Sequence, residues 1–90
     1  MEKRGKLRII KDILQIIQEN QNSIKSTPLL RKSNLSSQRF SEYLTMLLEK
    51  KLVKEIEDKQ GKKCFTLTDK GFKYLRRYEI IVGFIDEFGL

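Results

Sequence analysis

From Leu7 to Gln18, apolar residues recur at spacings of three and four: Leu7, Ile10, Ile13, Leu14 and Ile17. That period predicts an amphipathic helix with one buried stripe. Ile9 and Ile16 widen the stripe, so this helix is expected to pack on two sides. Asn20-Gln21-Asn22-Ser23 is a polar stop, and Ile24 after it has room only for a very short strand. Ser26-Thr27-Pro28 is a start signal, because a hydroxyl can accept from free backbone N–H groups and proline's missing N–H costs nothing in a first turn. A short second helix is therefore expected from near Pro28. It ends at Ser33-Asn34, since asparagine tolerates the left-handed backbone that closes a helix.

Leu35 is expected to plug the turn and Ser36 to cap a third helix, whose apolar positions Phe40, Tyr43, Leu44, Leu47 and Leu48 again follow helical spacing to about Lys50. Leu52 to Glu57 and Cys64 to Leu67 then flank Asp58-Lys59-Gln60-Gly61-Lys62-Lys63, with Gly61 available for a positive φ, which reads as a β-hairpin. If Phe65 and Leu67 face the core, strand alternation turns Cys64 and Thr66 away from it. Thr68-Asp69 caps a last helix from about Lys70 to Phe88. The chain is thus expected to be mainly α with a β-hairpin. Helix, short helix, tight polar turn, helix, hairpin and helix is the order of a winged helix-turn-helix domain, over residues 1–70, with an extended C-terminal helix over 69–90.

At 90 residues the chain supports one core. Its apolar share of 39% is enough for a packed domain. The net charge of +7 points to polyanionic partners, and its distribution sharpens the point: +2 over residues 1–20, +5 over 21–54 and zero over 55–90. Histidine is absent and Cys64 is the sole cysteine, which removes Cys/His zinc sets, Ser/His or Cys/His catalysis and disulfide frameworks. No metal, no cofactor and no enzymatic activity are expected. Cys64 itself reads as structural filler. The N-terminus carries Lys3, Arg4, Lys6, Arg8 and Lys11 and lacks an apolar run, so a cytoplasmic, nucleoid-associated location is expected, without a membrane segment.

On the third helix, Phe40, Leu44, Leu47 and Leu48 fill one arc, while Gln38, Glu42, Thr45 and Glu49 lie opposite, flanked by Arg39, Ser41 and Met46. Ser36, Ser37, Gln38, Arg39, Ser41, Glu42 and Thr45 are the candidates to meet base edges, because a helix held by its apolar side can present such groups to a major groove wide enough to admit it. Glu42 and Glu49 argue the other way, since carboxylates repel phosphates. Lys59, Lys62 and Lys63 at the hairpin tip suit a wing on the phosphate backbone, although lysines at an exposed turn also protect a sheet edge from pairing. Lys25, Thr27, Arg31 and Lys32 around the second helix are further phosphate candidates. Lys3, Arg4, Lys6 and Arg8 form either a basic arm or a solubilising end.

The last eleven residues hold seven large apolar side chains, more than a monomer usually exposes. Phe72 and Leu75 are enough to pack the start of the helix under the hairpin; beyond that, Leu75, Tyr78, Val82 and Ile85 make one stripe and Tyr74, Ile81, Phe84 and Phe88 another. A homodimer through this helix, antiparallel in the simplest form, buries them. The alternative is that the helix folds back on helix one of its own subunit and covers Ile9 and Ile16. Gly83 permits close approach or a kink.

Thr27, Ser33-Asn34-Leu35-Ser36, Tyr43-Leu44, Leu47-Leu48-Glu49-Lys50, Leu52-Val53 and Phe65-Thr66-Leu67-Thr68-Asp69-Lys70-Gly71 together resemble the archaeal winged helix-turn-helix regulators. The similarity is greatest to small archaeal DNA-binding proteins that dimerise through a C-terminal antiparallel coiled coil. The resemblance implies a non-enzymatic DNA-binding dimer, with Ser36 to Lys50 as recognition helix and Lys59 to Lys63 as wing. Two departures stand out: the family commonly has glycine where Lys51 stands, and the last helix is shorter than in the best-known coiled-coil members.

The leading expectation is a dimeric transcriptional regulator or chromatin-associated protein on double-stranded DNA. The alternative is a winged-helix protein-interaction module that binds no DNA. RNA is disfavoured, because no aromatic platform lies outside the core.

Overall fold

A computed structural model describes residues 4–90 of the chain. The element order is α1 (Lys6–Glu19), α2 (Ser26–Ser33), α3 (Ser37–Glu49), β1 (Val53–Glu57), β2 (Lys63–Leu67) and α4 (Asp69–Phe88). Ile9, Ile10, Ile13, Leu14 and Ile17 of α1 form the centre of the core and meet Leu29 of α2, Phe40 and Leu47 of α3, Leu52 and Val53, Phe65 and Leu67 of β2, and Leu75 of α4. Leu7 departs from the expected stripe. It sits in the first turn of α1, ahead of the layer where the other helices pack, and is 59% exposed.

The polar stop after α1 works through two consecutive left-handed residues, Gln21 (φ 61°) and Asn22 (φ 56°). Asn22 Oδ1 accepts the Leu67 backbone N–H at 2.8 Å. Ile24 is the brief strand, paired with Phe65 by bonds of 3.1 and 2.8 Å. α2 begins two residues before the expected Pro28, and no side chain caps it: Lys25 occupies the N-cap position and the hydroxyls of Ser26 and Thr27 lie within the helix. Pro28 still falls in the first turn, where its lack of an N–H is harmless.

β1 and β2 pair antiparallel from Val53–Leu67 to Glu57–Lys63. Beyond Val53, β1 is exposed, whereas Cys64, Phe65, Thr66 and Leu67 are all buried. The expected outward turn of Cys64 and Thr66 is therefore not observed. β2 has Ile24 on one edge and β1 on the other and packs against α1, α2 and α4, so neither face is left open.

α4 starts where Thr68 Oγ1 accepts the Gly71 N–H at 3.1 Å. Its first turns lock onto the exit of α3. Thr68 donates its hydroxyl to the Lys51 carbonyl at 2.6 Å, and Lys70 Nζ donates to the Lys50 carbonyl at 3.0 Å. Gly71 is required here, since a Cβ would collide with the Leu52 carbonyl oxygen. α4 then runs unbroken through Gly83, and every residue from Glu79 to Leu90 is exposed. The molecule is correspondingly elongated, at 48 × 27 × 22 Å.

Candidate nucleic-acid interface

The turn between α2 and α3 is built as its residue types demand. Asn34 is left-handed at φ 62°, Leu35 packs partly into the core, and buried Ser33 donates its hydroxyl to the Leu30 carbonyl at 2.7 Å. Ser36 Oγ accepts the Arg39 N–H at 3.2 Å and sets the start of α3. At the other end, Lys51 N–H donates to Leu48 O at 3.1 Å and Leu52 N–H to Leu47 O at 3.0 Å, a Schellman closure with Lys51 at φ 61°. Both ends of α3 are thereby held, and its rotation about its own axis is determined by the burial of Phe40 and Leu47.

That rotation leaves Ser36, Ser37, Gln38, Arg39, Ser41, Glu42 and Thr45 exposed on one continuous side. The Arg39 guanidinium lies over the Tyr43 ring, 6.0 Å from its centroid, so the stem is steadied while its donors stay in solvent. Lys6, from the first turn of α1, lines the same shallow groove as Arg39, Glu42, Tyr43 and Met46. Sequence periodicity gives no sign of that neighbour, because the contact is made across the fold.

The hairpin tip is ordered around Asp58. Its carboxylate accepts backbone N–H groups from Gln60 at 2.8 Å and Lys62 at 2.9 Å, while Gly61 supplies φ 75°. The Lys62 N–H bond is the main reason the Asp58 carboxyl titrates below its ordinary range, opposed by some desolvation and aided by Gln60, Lys25 and the Lys62 charge. Lys59 and Lys62 point into solvent with no ion-pair partner among the described residues, as does Arg31 on α2. The other basic candidates have partners. Lys25 pairs with Asp58 at 3.9 Å, Lys63 with Glu55 at 3.7 Å, and Lys32 donates to Asn20 Oδ1 at 3.1 Å. Thr27 is exposed on the first turn of α2.

Of the N-terminal basic residues, Lys3 lies outside the described residues. Arg4 is no free arm: it bonds Asp12 at 3.1 Å and donates to the Ser33 carbonyl at 3.1 Å, a cation at the negative end of α2. Lys6 and Arg8 belong to the first turn of α1.

On α4, Leu75 is withdrawn from the outward stripe: with Phe72 it packs the start of the helix, as expected, and lies in the core of its own chain at 8% exposure. Tyr74 and Tyr78 are half-buried, their rings 6.3 Å apart. Tyr74 donates its hydroxyl to the Leu7 carbonyl at 2.7 Å, and burial pushes its phenol up from the ordinary value, with Tyr78 adding to the effect. Ile81, Val82, Phe84, Ile85 and Phe88 remain open to solvent. The first half of α4 does fold across α1, as the alternative supposed, but the second half stays uncovered.

A three-helix core, a helix held across a tight turn with its polar side free, and a basic hairpin beside it define a winged helix-turn-helix protein. The family model of that description matches residues 3–84, and the chain belongs to the winged helix-turn-helix family. Among solved structures, it superposes on the PcaV transcriptional regulator from Streptomyces coelicolor with a TM-score of 0.73 and 17% identity, covering 88% of this chain and 59% of that one. With PcaV in complex with its natural ligand, the values are 0.74 and 18%, over 99% and 62%. F93 from STIV, a winged-helix DNA-binding protein, gives 0.72 and 20%, over 89% of this chain and 91% of that one. At these identities the likeness is one of fold, and the chain spans about three fifths of the PcaV length. No curated protein matches at the sequence level. Among the described residues, no helix is long and apolar enough to cross a membrane.

Proposed function

We propose that the chain binds double-stranded DNA as a dimeric transcriptional regulator or chromatin-associated protein. The side of α3 formed by Ser36, Ser37, Gln38, Arg39, Ser41, Glu42 and Thr45 enters the major groove. Lys59, Lys62 and Lys63 of the wing, with Lys25, Thr27, Arg31 and Lys32, meet the phosphate backbone. Tyr74, Tyr78, Ile81, Val82, Phe84, Ile85 and Phe88 of α4 join two copies. The observation that carries this reading is the orientation of α3: its apolar side is spent on the core while its hydrogen-bonding side is exposed, with Lys6 lining the groove beside Arg39. Serine, glutamine and arginine donors at the N-terminal end of a helix suit phosphates and base edges together. No catalytic step is needed for this role, and a nucleoid-associated location in the cytoplasm follows from it.

A gel-shift titration against random and upstream genomic DNA at two salt concentrations tests the reading. Neutralising about five to nine phosphates gives a slope of log K against log[salt] of roughly −4 to −8. A flat salt response refutes DNA binding and leaves protein interaction as the use of the domain.

A further inference from the structure

A helix lying in the major groove has a sugar-phosphate backbone on each side, because the groove, about 12 Å wide, is hardly wider than the helix. α2 and the wing provide cations for this backbone, Arg31, Lys59 and Lys62 among them. Around α3, at about 100° per residue, Arg39, Tyr43 and Met46 form one shoulder of the arc that carries Gln38, Glu42 and Thr45, and Ser37 and Ser41 form the other. The Arg39 shoulder has a neighbour from outside the helix-turn-helix. Lys6 of α1 lines a shallow groove with Arg39, Glu42, Tyr43 and Met46.

The fold holds Lys6 in this place. It is the first residue of α1, directly after the Gly5 N-cap, whose carbonyl accepts the Ile9 N–H at 3.0 Å. Arg4 ties the same stretch to the turn between α2 and α3, donating to the Ser33 carbonyl at 3.1 Å and the Asn34 carbonyl at 3.5 Å while bonding Asp12 at 3.1 Å. The start of α1 is thereby fixed relative to the turn that sets α3, so an anion at Lys6 immobilises one side chain and no segment of backbone. Lys6 is exposed and has no ion-pair partner among the described residues. Its charge also answers the repulsion expected of Glu42, since the groove holds two cations against one carboxylate.

We propose that Lys6 is a phosphate contact of the DNA interface, gripping the backbone strand that borders the Arg39 side of α3, so that α1 holds the duplex together with α2 and the wing. The inference rests on DNA binding through α3 and adds a contact that carries no sequence information. Arg8 supplies the comparison. It lies in the same turn and is also exposed, but it stands roughly 200° around the helix from Lys6. It lines the hollow against Tyr78, Val82 and Ile85 of α4, not the groove beside Arg39.

The test compares Lys6→Gln, Arg8→Gln and Lys6→Arg with the parent chain in gel-shift titrations over a range of salt, on two random duplexes of unlike base composition. Losing one phosphate contact makes the slope of log K against log[salt] shallower by about 0.9, which is roughly an eightfold loss at 0.1 M salt measured from the 1 M limit. Lys6→Gln should show both changes on either duplex. Arg8→Gln removes the same charge and should cost less than about twofold with the slope kept, because a charge held away from the backbone is largely screened. Lys6→Arg should keep the parent's slope. A partly unfolded sample lowers apparent affinity by a constant factor and leaves the slope alone, so loss of fold does not imitate the result. If Lys6→Gln behaves like Arg8→Gln or like the parent, the proposal is overturned and DNA binding by the parent stands. A parent chain with a flat salt response overturns both.

Discussion

Replacing Gly71 and Gly83 by alanine tests the packing argument, because the same chemical change in one helix should act with opposite signs. In a helix interior, alanine is favoured over glycine by up to about 1 kcal/mol. At Gly83 nothing lies within 4 Å of the new Cβ, so Gly83→Ala should gain most of that amount. At Gly71 the Cβ meets the Leu52 carbonyl oxygen and lies 3.4 Å from Leu67 Cβ. The obstacle is backbone and cannot rotate aside; α4 must shift off the exit of α3, breaking the Thr68 and Lys70 contacts that hold it. Overpacking of this kind costs about 1–3 kcal/mol, which exceeds the propensity gain. For a domain of this size, a net loss of about 1–2 kcal/mol lowers Tm by roughly 5–15 °C. Urea unfolding followed by far-UV circular dichroism at one protein concentration, with thermal melts alongside, measures both variants. If Gly71→Ala is as stable as the parent, the α3–α4 junction is not packed as described.

Lys51→Gly should raise stability by about 1 kcal/mol, read as a higher urea midpoint with unchanged slope, because φ 61° strains a lysine and not a glycine. The Asp58 carboxyl is held below its ordinary value of 3.8 in the folded chain, so the stability it lends the wing is present above that value and drains away as pH falls below it. The Gln60 and Lys62 amide signals in NMR should move in that acid window, and should lose the transition in Asp58→Asn. Arg39→Ala and Gln38→Ala should change which sequences are preferred, whereas Lys62→Ala should weaken all sequences alike; equal losses on every sequence for all three contradict the assigned roles.

Local chemistry was readable wherever a residue acts on its near neighbours. Asn34 and Ser36 end one helix and begin the next through bonds spanning a few positions, and Gly61 turns the hairpin within its own loop. The polar side of α3 was legible for the same reason, since helical period alone separates Gln38 and Thr45 from Phe40 and Leu47. The errors came from contacts made at long range. Cys64 and Thr66 alternate as an edge strand would, yet the strand is enclosed by Ile24, β1 and three helices. Arg4 reads as part of a basic tail, but the end of α2, some thirty positions away in the chain, captures it.

Periodicity and capping determined which segments are helices, where they turn and which side of each is apolar, because those depend on spacing along one chain. The assembled fold decided that Leu7 stays outside the core, that Gly71 must lack a side chain, and that Lys25 and Lys63 are paired while Lys59 and Lys62 have no ion-pair partner among the described residues. Those outcomes depend on which surfaces meet across the fold, and a one-dimensional pattern carries no record of that distance.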